Sequence, residues 1–172
     1  MKKNKVFCSV GANLFNPIKQ NLQALYELEQ YFEGSNFIQS SLYQTTPVSS
    51  IPQPAFVNSV CQFETTLSLR DVWQIIVGIE QKLGKKRKSK DCPRMIDIDL
   101  ILFGDTFLNG FLQLPHPKML ERLFVLIPLS EIVDVIDYPS SVDGLTRIEL
   151  KPLIIELKRQ GKESVNALSL SK

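Results

Sequence analysis

Asp97 and Asp99 stand two residues apart in the run Arg94-Met95-Ile96-Asp97-Ile98-Asp99-Leu100-Ile101, which is otherwise apolar after Arg94. On a β-strand, alternate residues point to the same face, so the two carboxylates share one side. At a rise of ~3.3 Å per residue their side chains leave the backbone ~6.6 Å apart. Two carboxylates on an apolar face repel each other and lose hydration, so the pair requires positive charge beside it. Mg²⁺ takes hard oxygen ligands at that reach and completes its shell with substrate phosphates. The segment from Lys82 to Lys90 just upstream is rich in lysine and arginine, which suit the same phosphates. The pattern reads as a metal-phosphate site. The plainer reading is the solvent side of an edge strand, and the Leu-Ile-Leu-Phe run at 100–103 argues against an edge. Lys82, Lys86, Lys88 and Lys90 read as a solvated helix end that complements the helix dipole.

The elements that must hold this pair are legible in the periodicity. Val6 to Val10 forms a first strand, broken at Gly11-Ala12-Asn13. A helix runs from Pro17 through Ile18, Leu22, Leu25 and Leu28, with Asn16 as N-cap and Gly34 as its stop. Phe37 to Gln44 is a second strand. The three prolines between Thr45 and Pro54 demand an extended loop. Phe56 to Thr65 is a third strand, with Val57, Ser59, Cys61 and Phe63 on one face and Phe56, Asn58, Val60 and Gln62 on the other. Ser68 caps a helix from Leu69 to Leu83, ended by Gly84, and the Asp97/Asp99 strand runs to Phe103. Thr106 to Leu108 is a short returning strand. Glu121 to Val133 has helical spacing, with Pro128 marking a break, and Leu150 to Gln160 is a last amphipathic helix. The order β-α-β-β-α-β is a ferredoxin-like α+β plan with an antiparallel sheet. The later elements extend that sheet and cover its second face, giving three layers, αβα. One domain spans 1–161, and the polar tail 162–172 is expected to fray.

Composition bounds the possibilities. The 172 residues are 44% hydrophobic and 22% charged, with 20 basic and 18 acidic side chains and a net charge of +2. That is an ordinary globular domain with enough chain for a core, and its balance argues against nucleic acid as a partner. The basic start, Met1 to Lys5, is followed by too short an apolar run for a signal peptide. No segment approaches the ~20 apolar residues of a membrane helix. Cys8, Cys61 and Cys92 have neither disulfide nor zinc spacing. A cytoplasmic, monomeric protein that touches no membrane is expected.

Several ordered motifs carry a family resemblance. The run from Lys90 to Ile101 resembles the signature of the 6-hydroxymethyl-7,8-dihydropterin pyrophosphokinases. Gly11-Ala12-Asn13-Leu14 is similar to their early Gly-Ser-Asn-Leu. Tyr43-Gln44-Thr45-Thr46-Pro47 with Phe56-Val57-Asn58 resembles their pterin loop. Leu114-Pro115-His116-Pro117-Lys118-Met119 with Arg122-Leu123-Phe124-Val125-Leu126 resembles their closing motif. The resemblance covers roughly 6–132. It implies transfer of pyrophosphate from ATP to the pterin hydroxymethyl group, with release of AMP, in folate biosynthesis. It implies two Mg²⁺ ions on Asp97 and Asp99, with Arg94, His116 and Arg122 on ATP or its leaving phosphate. It assigns Lys85 and Arg87 to a basic loop that closes over ATP, and Thr45, Thr46, Val48, Phe56, Asn58 and Phe124 to the pterin. Flat heterocycles favour aromatic faces, and the Asn58 amide offers both a donor and an acceptor. The chain departs from the family at Asp91-Cys92, where Trp-Gly often precedes Pro-Arg.

Two other readings compete. A ferredoxin-like sheet with exposed aromatics can bind single-stranded nucleic acid, which would use Phe56, Phe63 and the lysine-rich loop. Against it stand the small net charge and two aspartates that would repel phosphate. A catalytically weak family member is the other, motivated by Asp91-Cys92. Retention of Arg94, Asp97, Asp99, His116 and Arg122 counts against it. His116 would by default be structural, and Phe56 and Phe124 core aromatics.

Overall fold

The structure, a computed structural model, describes residues 2–33, 35–47, 52–85 and 92–169. In chain order the strands are β1 (Asn4–Ala12), β2 (Ile38–Gln39), β3 (Tyr43–Thr45), β4 (Phe56–Thr65), β5 (Asp97–Phe103), β6 (Leu108–Asn109), β7 (Gln113–Leu114), β8 (Val135–Ser140), β9 (Gly144–Glu149) and β10 (Val165–Ala167). The helices are α1 (Pro17–Tyr31), α2 (Leu69–Lys82), α3 (Leu123–Ile132) and α4 (Leu150–Gln160).

The main sheet runs β10-β3-β4-β1-β5, with β2 also on β4, and its pairings are antiparallel. Alternation along the strands sorts the side chains into two cores. Val6, Cys8 and Val10 of β1 join Val57, Cys61 and Phe63 of β4 beneath α1 and α2. Phe7, Val60 and Ile101 face the other way, beneath α3 and α4. Each fully buried leucine, isoleucine or phenylalanine contributes about 1.5–3 kcal/mol, so both helical layers are held by the same central strands. The expected α+β architecture, with helices on both faces of an antiparallel sheet, is the one observed.

The first two helices start where their caps predict. Asn16 accepts the Lys19 N–H, and Ser68 accepts that of Asp71. The sequence expectation fails elsewhere for identifiable reasons. The second strand is split, because Ser40 interrupts the ladder: its N–H donates to Val60 O while its hydroxyl accepts from Val60 N. The side chain replaces a carbonyl, and the register of β3 on β4 is one residue off that of β2. The returning strand begins only at Leu108, pairing with β7. Pro128 causes no break. Helix α3 runs through it, because a helix buried among Val125, Leu126 and Leu129 is held by packing despite the lost hydrogen bond. The hairpin β8–β9 was not anticipated, although Asp143-Gly144 between alternating residues is a turn signal. The tail does not fray at Gly161. That glycine ends α4 at φ 65, and β10 then adds to the open edge of β3. The expected helix stop Gly34 lies outside the described residues.

Candidate active site

The α3 face of the sheet is left open at one end, and the register sets what is displayed there. Gly11 lies between Asp97 on β5 and Asn58 on β4, and Ser9 lies opposite Asp99. With strands ~4.8 Å apart, Asp97 and Asn58 are separated across the glycine by ~10 Å of sheet. Those residues form the floor of a cleft of about 710 Å³, open to solvent. Thr45, Thr46 and Phe56 form one wall, Arg122 and Phe124 another, and Cys92 and Arg94 border it as well.

The carboxylates differ in surroundings. Asp97 accepts hydrogen bonds from Lys85 Nζ at 2.6 Å and from the Arg94 guanidinium. Lys85 is shared with Glu80, a buried residue of α2 that also accepts the Ile98 N–H at 2.7 Å. Asp99 sits deeper, and burial together with the Asp97 charge pushes its carboxyl up to about 7. Burial also raises the Glu80 carboxyl. The pair on one face, expected from the i, i+2 spacing, is present, and its compensating charges are Lys85 and Arg94. Among the described residues no cluster of three or more His, Cys, Asp or Glu could hold a metal alone. Asp97 and Asp99 supply hard oxygen donors side by side in the cleft, and Mg²⁺ is held by one or two carboxylates plus substrate phosphates. The donor set therefore fits the expected ion.

Arg94 is placed by Asn13. The Asn13 Oδ1 accepts the Arg94 N–H at 2.8 Å, while Arg94 O accepts the N–H groups of Asn13 and Leu14. The Asn13 amide also donates to Gln53 Oε1 and Pro54 O. One asparagine thus ties the arginine to the proline-rich loop, a role that the Gly-Ala-Asn motif hinted at without revealing. Asn58 is buried and donates to Thr45 Oγ1 at 2.7 Å. Arg122 lies over the Phe124 ring, 5.2 Å from its centroid, a favourable cation–π geometry.

His116 is near the cleft without forming its wall. Its backbone N–H donates to Ile101 O, and its ring Nδ1 accepts from Lys118 N at 3.3 Å. Burial lowers its pKa, and the neighbouring Arg122 lowers it further, while the Asp97 charge acts the other way. Val48 and Arg87 lie outside the described residues, as does Asp91; Cys92 lines the cleft. Ser9, Gly11, Gln53 and Glu80 were not anticipated as site residues. Glu80 was hidden because a single glutamate on a helix looks like any solvated charge. Phe63, which a nucleic-acid-binding sheet would have to expose, is fully buried and stacked on Phe32.

An α+β sheet with acids and cations at one end of a cleft and an amide among aromatic rings at the other is the plan of an enzyme that moves phosphate onto a heterocyclic substrate. The family model for 7,8-dihydro-6-hydroxymethylpterin-pyrophosphokinase matches residues 7–134. The chain belongs to that family. It is 36% identical over 130 residues to the 2-amino-4-hydroxy-6-hydroxymethyldihydropteridine pyrophosphokinase of Helicobacter pylori, covering 74% of this chain and 80% of the relative. It is 34% identical over 136 residues to the Pseudomonas aeruginosa protein of the same name, covering 78% and 84%. A solved Plasmodium falciparum HPPK-DHPS shares the fold at a TM-score of 0.65 and 15% identity, over 94% of this chain and 42% of that one. The chain thus spans under half of that longer protein. No described helix is long and apolar enough to cross a membrane.

Proposed function

We propose that this chain transfers the terminal pyrophosphate of ATP to the hydroxymethyl oxygen of 6-hydroxymethyl-7,8-dihydropterin in folate biosynthesis. The pterin oxygen bonds to the β-phosphorus, the bond between that phosphorus and the α-phosphate oxygen breaks, and AMP leaves. The hydroxyl proton is released. The observation that carries this reading is the register itself. It sets Asp97 and Asp99 on one side of β1 and Asn58 on the other, in a cleft that Phe56 and Phe124 also line.

Mg²⁺, when bound, neutralises charge on the ATP phosphates. Asp97 and Asp99 would hold it, and two ions are proposed. Lys85 and Arg94, which now balance Asp97, turn part of their charge to the phosphates, and Arg122 adds a planar donor from the opposite wall. His116 offers an imidazole hydrogen bond to the phosphates. Phe56 and Phe124 give the pterin apolar faces, and Asn58 reads its amide-like edge. Thr45 holds Asn58 in orientation, and Thr46 borders the same wall. Most of the work is positioning and charge stabilisation, as phosphoryl-type transfer requires. A cytoplasmic, monomeric enzyme completes the reading, with sedimentation mass as the check on the latter.

The test is incubation of the purified protein with both substrates and Mg²⁺. AMP and pterin pyrophosphate should form in equal amounts, and chelation of the metal should stop the reaction. Formation of ADP, or no pterin-dependent AMP, would overturn the assignment. Asp97→Ala and Asp99→Ala should each abolish turnover with the fold kept; near-normal activity in either would refute the metal role.

A further inference from the structure

The segment after α4 grips both walls of the cleft from behind. Helix α3 starts directly after Arg122 and carries Phe124 in its first turn, yet its N-cap position, Arg122, provides no capping side chain. The cap comes from Glu163, far along the chain. Phe124 N donates to Glu163 Oε2 at 3.2 Å, and the Leu123 N–H also bonds to that carboxylate. A carboxylate at a helix N-terminus satisfies orphan N–H groups and complements the dipole. Glu163 also lies within electrostatic reach of Arg122. The next residue holds the other wall. Thr46 N donates to Ser164 O at 3.1 Å, and Ser164 N donates to Thr46 Oγ1 at 3.0 Å. Val165 then opens the pairing of β10 with β3, opposite Thr45. Three consecutive residues therefore connect the Arg122–Phe124 wall to the Thr45–Thr46 wall. Burial raises the Glu163 pKa, while the Phe124 and Leu123 N–H groups and Arg122 act against that rise.

We propose that Glu163 is a positioning residue for the transfer reaction, holding the Arg122–Phe124 turn at the width of cleft that the heterocycle needs, with the Ser164–Thr46 pair anchoring the opposite side. This rests on the reading of the cleft as the pterin and ATP site. Glu163→Ala removes the acceptor for the Phe124 N–H and the negative charge near Arg122. Glu163→Gln keeps the acceptor and loses only the charge. The full-length variants are compared by steady-state kinetics. Pterin binding is measured by calorimetry with Mg²⁺ and an ATP analogue carrying a methylene between the α- and β-phosphates, which cannot be cleaved there. Glu163→Ala should raise the KM and Kd for the pterin on the order of tenfold, the weight of a lost helix cap. The kcat should change much less, and Glu163→Gln should return pterin binding to within about threefold of wild type. Circular dichroism and Tm verify that both variants are folded. Unaltered pterin KM in Glu163→Ala, beside normal wild-type turnover, would overturn this inference alone. So would equal impairment of the two variants. A wild-type protein that makes no pterin-dependent AMP would overturn the underlying reading and this inference with it.

Discussion

Gly11 lies in an extended strand, so its need is for space rather than for an unusual φ. A methyl group built there would sit 2.6 Å from Asn58 Oδ1. Carbon and oxygen rest no closer than about 3.3 Å, so Gly11→Ala forces the Asn58 amide to move by roughly 0.7 Å or to rotate. Asn58 is buried, and its Nδ2 donates to Thr45 Oγ1 at 2.7 Å. Overpacking costs about 1–3 kcal/mol, and a lost hydrogen bond about 0.5–1.5 kcal/mol. Because the clash falls on the end of a short side chain that can turn, part of the cost is relieved in the fold and transferred to recognition. About 2 kcal/mol of lost pterin affinity is expected, or roughly thirtyfold in Kd. Calorimetric titration of the pterin measures it, with ATP affinity as the internal comparison. The double variant Gly11→Ala/Asn58→Ala should be no worse than Asn58→Ala alone, since the clashing atom is gone. Pterin affinity within threefold of wild type in Gly11→Ala, or full additivity in the double variant, would refute the steric argument.

Asn21 is fully buried on α1, donating to Val10 O and Val57 O and accepting from the Ser59 hydroxyl. Asn21→Leu should destabilise the chain by about 3 kcal/mol by stranding those groups, read as a lower urea midpoint; a loss under about 1 kcal/mol would contradict the clamp. The Tyr43 hydroxyl donates to Glu131, and burial with that carboxylate raises the phenol to about 12 from 10.0. Its contribution to stability is therefore intact below pH 10 and lost as the pH rises toward 12. Tyr43→Phe should flatten that alkaline decline, and an unchanged denaturation profile would count against it. Asp99, with its carboxyl raised to about 7 from 3.8, loses stabilisation as pH rises through that window when no cation is bound. Asp99→Asn should accordingly raise the Tm at pH 8 in chelator while abolishing turnover, and a lower Tm would refute the reasoning.

What the sequence determined alone were the features that depend on local period and local chemistry. The i, i+2 spacing put Asp97 and Asp99 on one face, the caps at Asn16 and Ser68 started α1 and α2, and strict alternation in Phe56–Thr65 divided β4 between two cores. The paired motifs were also enough for the family. The tertiary structure alone decided what depends on registry between distant segments. Nothing local says that Gly11 falls between Asp97 and Asn58, that Asn13 holds the Arg94 backbone, or that Glu80 shares Lys85 with Asp97. Pro128 and the tail depart from the sequence expectation for the same reason. A proline reads locally as a break and a polar end reads locally as frayed, yet packing on the sheet carries α3 through the one. The open edge of β3 and the uncapped start of α3 give the other its partners. Hydrogen-bond and packing demands are met by whichever group the fold brings near, and chain neighbours do not reveal which group that is.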